Sequence, residues 1–148
     1  MITVLIMTDG RQEYFRKTYD SLWTNVSKFD NILIHDDSGS SEYAEWLRET
    51  FKTPDTTIYS TGKRSGFGGA IRSAWEQIRK TDTEWVFHLE EDFTFNRPVN
   101  LQDMQGVLES RPQVAQMALR RQPWNAQEVT QGGVVELDPD SYLEVSDG

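Results

Sequence analysis

No cysteine occurs in this sequence, which excludes thiol nucleophiles, zinc-thiolate sites and iron-sulfur clusters and leaves the reducing cytoplasm as the expected location. Positive charge is scarce as well. Fifteen Lys and Arg stand against 24 Asp and Glu, a formal net charge of −9, so the surface field repels a phosphate backbone and nucleic acid is not an expected partner. No apolar run approaches the ~20 residues of a membrane helix. The opening run, Ile2 to Met7, lacks a basic lead-in, meets Thr8-Asp9-Gly10-Arg11 at once and reads as a buried strand. There is no Gly-x-Ser-x-Gly elbow to support a hydrolase triad, no internal repeat and no low-complexity segment. The 148 residues suit one domain over 1–148, and a chain near this length buries roughly 70% of its unfolded surface without disulfides or a structural metal.

What is present alternates between strand and helix. After the strand Ile2 to Met7, the residues Phe15, Tyr19, Leu22, Trp23 and Val26 recur at helical spacing in a helix that runs from Glu13 to about Ser27. Asn31 to His35 is a second buried strand, broken by Asp36-Asp37-Ser38-Gly39-Ser40-Ser41. Tyr43, Trp46, Leu47 and Phe51 mark a second helix, and a short strand follows around Thr57 to Ser60. Gly62 to Gly69 is a glycine-rich basic loop leading into a third helix on Phe67, Ile71, Ala74 and Ile78. Trp85 to Leu89 reads as the central strand, Leu101 to Leu108 as a fourth helix stopped by Pro112, and Val114 to Leu119 as a fifth strand. Gly132-Gly133 to Leu137, Asp138-Pro139-Asp140 and Tyr142 to Val145 suggest a hairpin within a tail over 124–148. The order predicts an α/β three-layer sandwich with a mostly parallel sheet, right-handed crossovers and a ligand crevice outside the carboxyl ends of the strands.

Acidic residues gather at those ends. Glu90-Glu91-Asp92 closes the fourth strand; its crowded carboxylates are either a solvated turn or a site for Mg²⁺ or Mn²⁺, hard ions that pair one or two carboxylates with substrate phosphates. Such an ion would reconcile an acidic protein with a diphosphate ligand. Asp36-Asp37 ends the second strand, where a carboxylate accepts from a pyrimidine imino group or a ribose hydroxyl, or else Asp37 or Ser38 caps the helix beginning near Ser41. The loop Gly62-Lys63-Arg64-Ser65-Gly66-Phe67-Gly68-Gly69 either brings a helix N-terminus and two cations to an anion or packs its helix on the sheet. His35 and His88 sit inside apolar strands and read as buried, hydrogen-bonded residues without catalytic roles. Trp23, Trp46 and Trp75 read as core, and Trp124 as core or the wall of a sugar pocket.

Taken in order, Val4 to Thr8, Ile32 to Ser40, the loop and helix from Gly62, and Val86 to Phe93 resemble the N-terminal half of family 2 glycosyltransferases over about four fifths of the chain. The resemblance implies a GT-A, Rossmann-like fold and transfer of a sugar from a nucleotide diphosphate donor, a UDP-sugar, with Mn²⁺ or Mg²⁺. It implies that Thr8 and its neighbours Asp9 and Arg11 contact the nucleobase, that Asp36 and Asp37 line the nucleotide with Asp37 reading the pyrimidine, and that Arg64 is the basic residue for base or phosphate. Glu90-Glu91-Asp92 takes the place of the Asp-x-Asp motif, with Glu91 toward the ribose and Glu90 and Asp92 toward the metal, Glu90 departing from the usual Asp. The acceptor and the general base have no motif; Glu136, Asp138, Asp140 and Glu144 are carboxylates available for the base. A shortened chain, a naturally short enzyme or a binding remnant all fit that gap. The alternative function is therefore a catalytically silent nucleotide-sugar-binding module working through a partner or as a homo-oligomer. A nucleotidyltransferase is a third option, although its glycine-rich loop would stand nearer the start.

Overall fold

The computed structural model describes residues 1–119. The chain falls into a unit over Met1–Ala115 and a second over Gln116–Gly148; every described strand and helix belongs to the first. The expected hairpin, Trp124, Glu136, Asp138, Asp140 and Glu144 lie outside the described residues.

In chain order the elements are β1 (Ile2–Thr8), α1 (Gln12–Asn25), β2 (Val26–Ser27), β3 (Asn31–Asp36), α2 (Ser41–Phe51), β4 (Thr56–Ser60), α3 (Gly66–Ile78), β5 (Trp85–Glu90), β6 (Val99–Asn100) and α4 (Leu101–Ser110). Four of the strands form a wholly parallel sheet in the order β4-β3-β1-β5, and β2 pairs with β6 in a small second sheet. Apolar residues run through β1 without interruption because it is covered on both faces, and all seven of its residues are buried. Alternation along the strand sends Ile2, Val4 and Ile6 to one face, where they join Phe15, Tyr19 and Leu22 of α1 and Tyr43, Leu47 and Phe51 of α2. Leu5 and Met7 point to the other face and meet Ala70, Ala74 and Ile78 of α3. The result is the expected three-layer α/β sandwich.

Register positions the site. Thr8 lies opposite Asp36 and Met7 opposite Glu90, so the three strands β3, β1 and β5 reach the same level and their polar last residues share one edge of the sheet.

Several expectations need correction. α1 ends at Asn25, because Val26 and Ser27 turn extended and pair with Val99 and Asn100, a two-residue ladder too short to carry any sequence period. β5 is not central but an edge strand among the described residues, and it is mostly half-buried. Residues 114–119 form no strand; they lie outside any ladder and most are exposed. Trp23 is 54% exposed and Trp75 39% exposed, so only Trp46 packs against the core as expected. Phe67, although in phase with the α3 stripe, is 71% exposed in the first turn, ahead of the helix's buried face at Ala70, Ala74 and Ile78.

Candidate functional site at the carboxyl edge of the sheet

Glu91, the first residue beyond β5, is the centre of the site. It is 1% exposed, and a carboxylate that deep in the fold must be paired and hydrogen-bonded. Its Oε1 accepts from Arg11 Nε at 2.7 Å, its Oε2 accepts from the Thr8 hydroxyl, and its backbone carbonyl accepts from Thr18 Oγ1 at 2.5 Å. Thr8 Oγ1 lies 2.5 Å from the Tyr43 hydroxyl. Because the single Thr8 proton goes to Glu91, Tyr43 donates to Thr8, and the row runs in one direction from phenol to hydroxyl to carboxylate. Burial pushes the Tyr43 phenol far above its ordinary value, so it stays a donor. Arg11 stands just before α1, outside helical geometry, and its side chain turns back over the strand ends to reach Glu91 and, at 3.1 Å, Asp92 Oδ2. Its guanidinium is raised above its usual value, first by the Glu91 hydrogen bond, and its outer surface stacks over Tyr14 at 5.0 Å.

At the end of β3 the two aspartates diverge. Asp36 is buried; its Oδ1 accepts from the Ser38 backbone N–H at 2.8 Å, while its Oδ2 has no partner among the described residues. Asp37 turns toward α3 and accepts from Ser65 N at 2.8 Å, Ser65 Oγ at 2.5 Å and Gly66 N at 2.9 Å. A carboxylate there satisfies orphan N–H groups and complements the helix dipole. Asp37 therefore caps α3, whereas Ser40, not Asp37 or Ser38, caps α2 by accepting from Tyr43 N at 3.2 Å. Gly39 makes the crossing feasible: its φ is +71°, and a Cβ on it would lie 3.0 Å from the Arg64 backbone nitrogen. Arg64 pairs with Asp9, both exposed, which ties the basic loop to the end of β1.

The structure thus brings Thr8, Arg11, Glu91 and Asp92 into one hydrogen-bonded group, Asp37 onto the α3 terminus, and Asp9 with Arg64 into an exposed pair. Glu90 is half-buried and makes no side-chain hydrogen bond among the described residues. Among those residues no cluster of three acidic or histidine side chains is arranged to hold a metal ion. A cage built from protein alone does not fit. His35 is fully buried as expected, but neither ring nitrogen has a partner among the described residues, and burial lowers its basicity despite Asp37 and Asp36 nearby. His88 is exposed by surface area, not buried, although partial desolvation still lowers its basicity.

Tyr43, Thr18 and Ser65 escaped the sequence reading. Tyr43 sits in the apolar stripe of α2, where the ring explains its position, and the only signal for more is that a buried phenol requires a partner.

An open parallel sheet whose carboxylates converge beyond its strand ends defines a ligand-binding α/β domain of the Rossmann-like class. The chain matches Glycosyl transferase family 2 over residues 3–140 and belongs to that family. Its three-layer architecture is accordingly the GT-A fold, and its activity falls in glycosyl transfer, which requires a nucleotide-sugar donor and an acceptor. No curated protein matches the chain. No helix among the described residues is long and apolar enough to cross a membrane.

Proposed function

We propose that the chain transfers a sugar from a UDP-sugar to an acceptor hydroxyl at the carboxyl edge of β1, β3 and β5, with Mn²⁺ or Mg²⁺ as cofactor. The observation that carries this reading is the convergence, in a family 2 chain, of the ends of three strands on one acidic edge that also holds Arg11 and Arg64. Asp36 offers a buried carboxylate oxygen without a partner among the described residues, suited to a base imino group or a ribose hydroxyl. Asp37 lies beside it and, by accepting from Ser65 N and Gly66 N at the start of α3, fixes the basic loop next to the donor. Thr8 closes the floor, Glu91 anchors it beneath the ribose, and Asp9 with Arg64 borders the donor from above. Glu90 and Asp92 would hold the ion, whose bound charge would offset that of the departing diphosphate. Absence of cysteine favours a cytoplasmic setting.

Calorimetric titration of the protein with UDP, in Mn²⁺ and again in EDTA, tests the reading. The expected result is binding that weakens at least tenfold without metal. Equal affinity in both buffers would remove the metal from the mechanism, and no binding in either would remove the donor.

A further inference from the structure

The family assignment does not explain why a tyrosine of α2 belongs to the same hydrogen-bonded row as the acidic motif. Glu91 uses both carboxylate oxygens inward, on Thr8 and Arg11, and at 1% exposure it has no surface to offer a ligand. Its effect on a ligand has to pass through the groups it holds. Arg11 is the one that faces outward: its side chain is 48% exposed, while that of Glu91 is 2% exposed. Of the five N–H groups of a guanidinium, one goes to Glu91 and one to Asp92, which leaves three without partners among the described residues. A planar cation fixed by one buried carboxylate, backed by the Tyr14 ring and exposing several donors is preorganised for a phosphate group. Among the described residues, Arg64, the second arginine at this edge, is tethered by an exposed pair with Asp9.

We infer that Arg11 is the fixed cation that receives the diphosphate of the donor, and that Tyr43 is a positioning residue which sets Arg11 through Thr8 and Glu91. The inference rests on the donor site proposed above. Without the Tyr43 hydroxyl, Thr8 loses its donor and can rotate its own proton away from Glu91, and the carboxylate loses the contact that fixes its plane. Arg11 then keeps its charge but not its aim. Lysine could not take its place, since a single ammonium cannot bond Glu91 and Asp92 while offering a fork to phosphate.

The test measures UDP and uridine affinity, in Mn²⁺, for the wild type and for Tyr43→Phe, Arg11→Lys and Arg11→Gln, with a thermal melt of each. Phenylalanine keeps the Tyr43 ring stacked on Trp46, so fold and uridine binding are expected to persist. UDP affinity is expected to fall about tenfold or more in each Arg11 variant, the size of a lost charged hydrogen bond, and by a smaller factor in Tyr43→Phe. If Arg11→Gln and Tyr43→Phe bind UDP as the wild type does, the inference is overturned while the donor site stands. If uridine and UDP affinity fall together in Tyr43→Phe, the tyrosine is merely structural and the positioning role is overturned. A wild type that binds neither compound overturns the donor site itself.

Discussion

His35 combines full burial with two ring nitrogens that lack partners among the described residues, next to the Tyr59 ring at 5.5 Å. Burial disfavours the imidazolium more than Asp37 and Asp36 favour it, so the folded-state basicity lies below the ordinary value near 6.5. Above that value both folded and unfolded chains carry a neutral ring and the histidine is indifferent to pH. As pH falls below it the unfolded chain takes up a proton that the folded chain refuses, and stability drops by up to about 1.4 kcal/mol per pH unit until the folded-state value is reached. Denaturant melts between pH 5 and 8 are expected to show this loss, with a shallower slope in His35→Phe; parallel slopes would assign the acid sensitivity to other groups. The same residue marks a limit of the sequence. Its burial follows from the apolar strand around it, but the missing partner does not, because hydrogen bonding across a sheet depends on which side chains neighbouring strands supply.

At the scale of elements, the strands and helices with a full period were readable: β1, β3, α2 and α3 occur where their apolar spacing puts them. The acidic strand ends were readable because Asp36-Asp37 and Glu90-Glu91-Asp92 directly follow the apolar runs of β3 and β5. Where Asp37 points was not, because capping a helix 28 residues onward requires knowing how the loop folds back. Gly39 is the hinge of that contact. Its φ of +71° and the 3.0 Å approach of a built Cβ to the Arg64 nitrogen mean that Gly39→Ala is expected to cost roughly 1–3 kcal/mol by urea denaturation, the range for a non-glycine residue forced into left-handed backbone with a steric clash. Because the displaced segment carries Arg64, UDP binding is expected to weaken in the same variant. A change within 0.5 kcal/mol, the usual surface range, would show that the loop absorbs the methyl group freely.

At the scale of the molecule the problem is charge. A chain of formal charge −9 that gathers Asp36, Asp37, Glu90, Glu91 and Asp92 on one edge offers a diphosphate Arg11, Arg64 and Lys63 among the described residues, and Arg11 and Arg64 are already paired with carboxylates. Coulomb repulsion between an acidic edge and a dianion falls with distance and salt, but it is strongest where a ligand must sit. A divalent ion bound with the donor reverses that sign locally. Ligand and ion together are therefore expected to stabilise the fold more than the sum of their separate effects. At a UDP concentration 100 times its dissociation constant the linkage is about 2.7 kcal/mol, a rise in melting temperature of roughly 5–10 °C for a chain of this size. Thermal melts with Mn²⁺ alone, UDP alone and both are expected to shift appreciably only in the third case, and Asp92→Asn is expected to abolish most of that shift. The apo melt of that variant should change little, because Asp92 is exposed and contributes one 3.1 Å contact to Arg11. A full shift with UDP alone would mean that the arginines of this edge already neutralise the diphosphate without an ion.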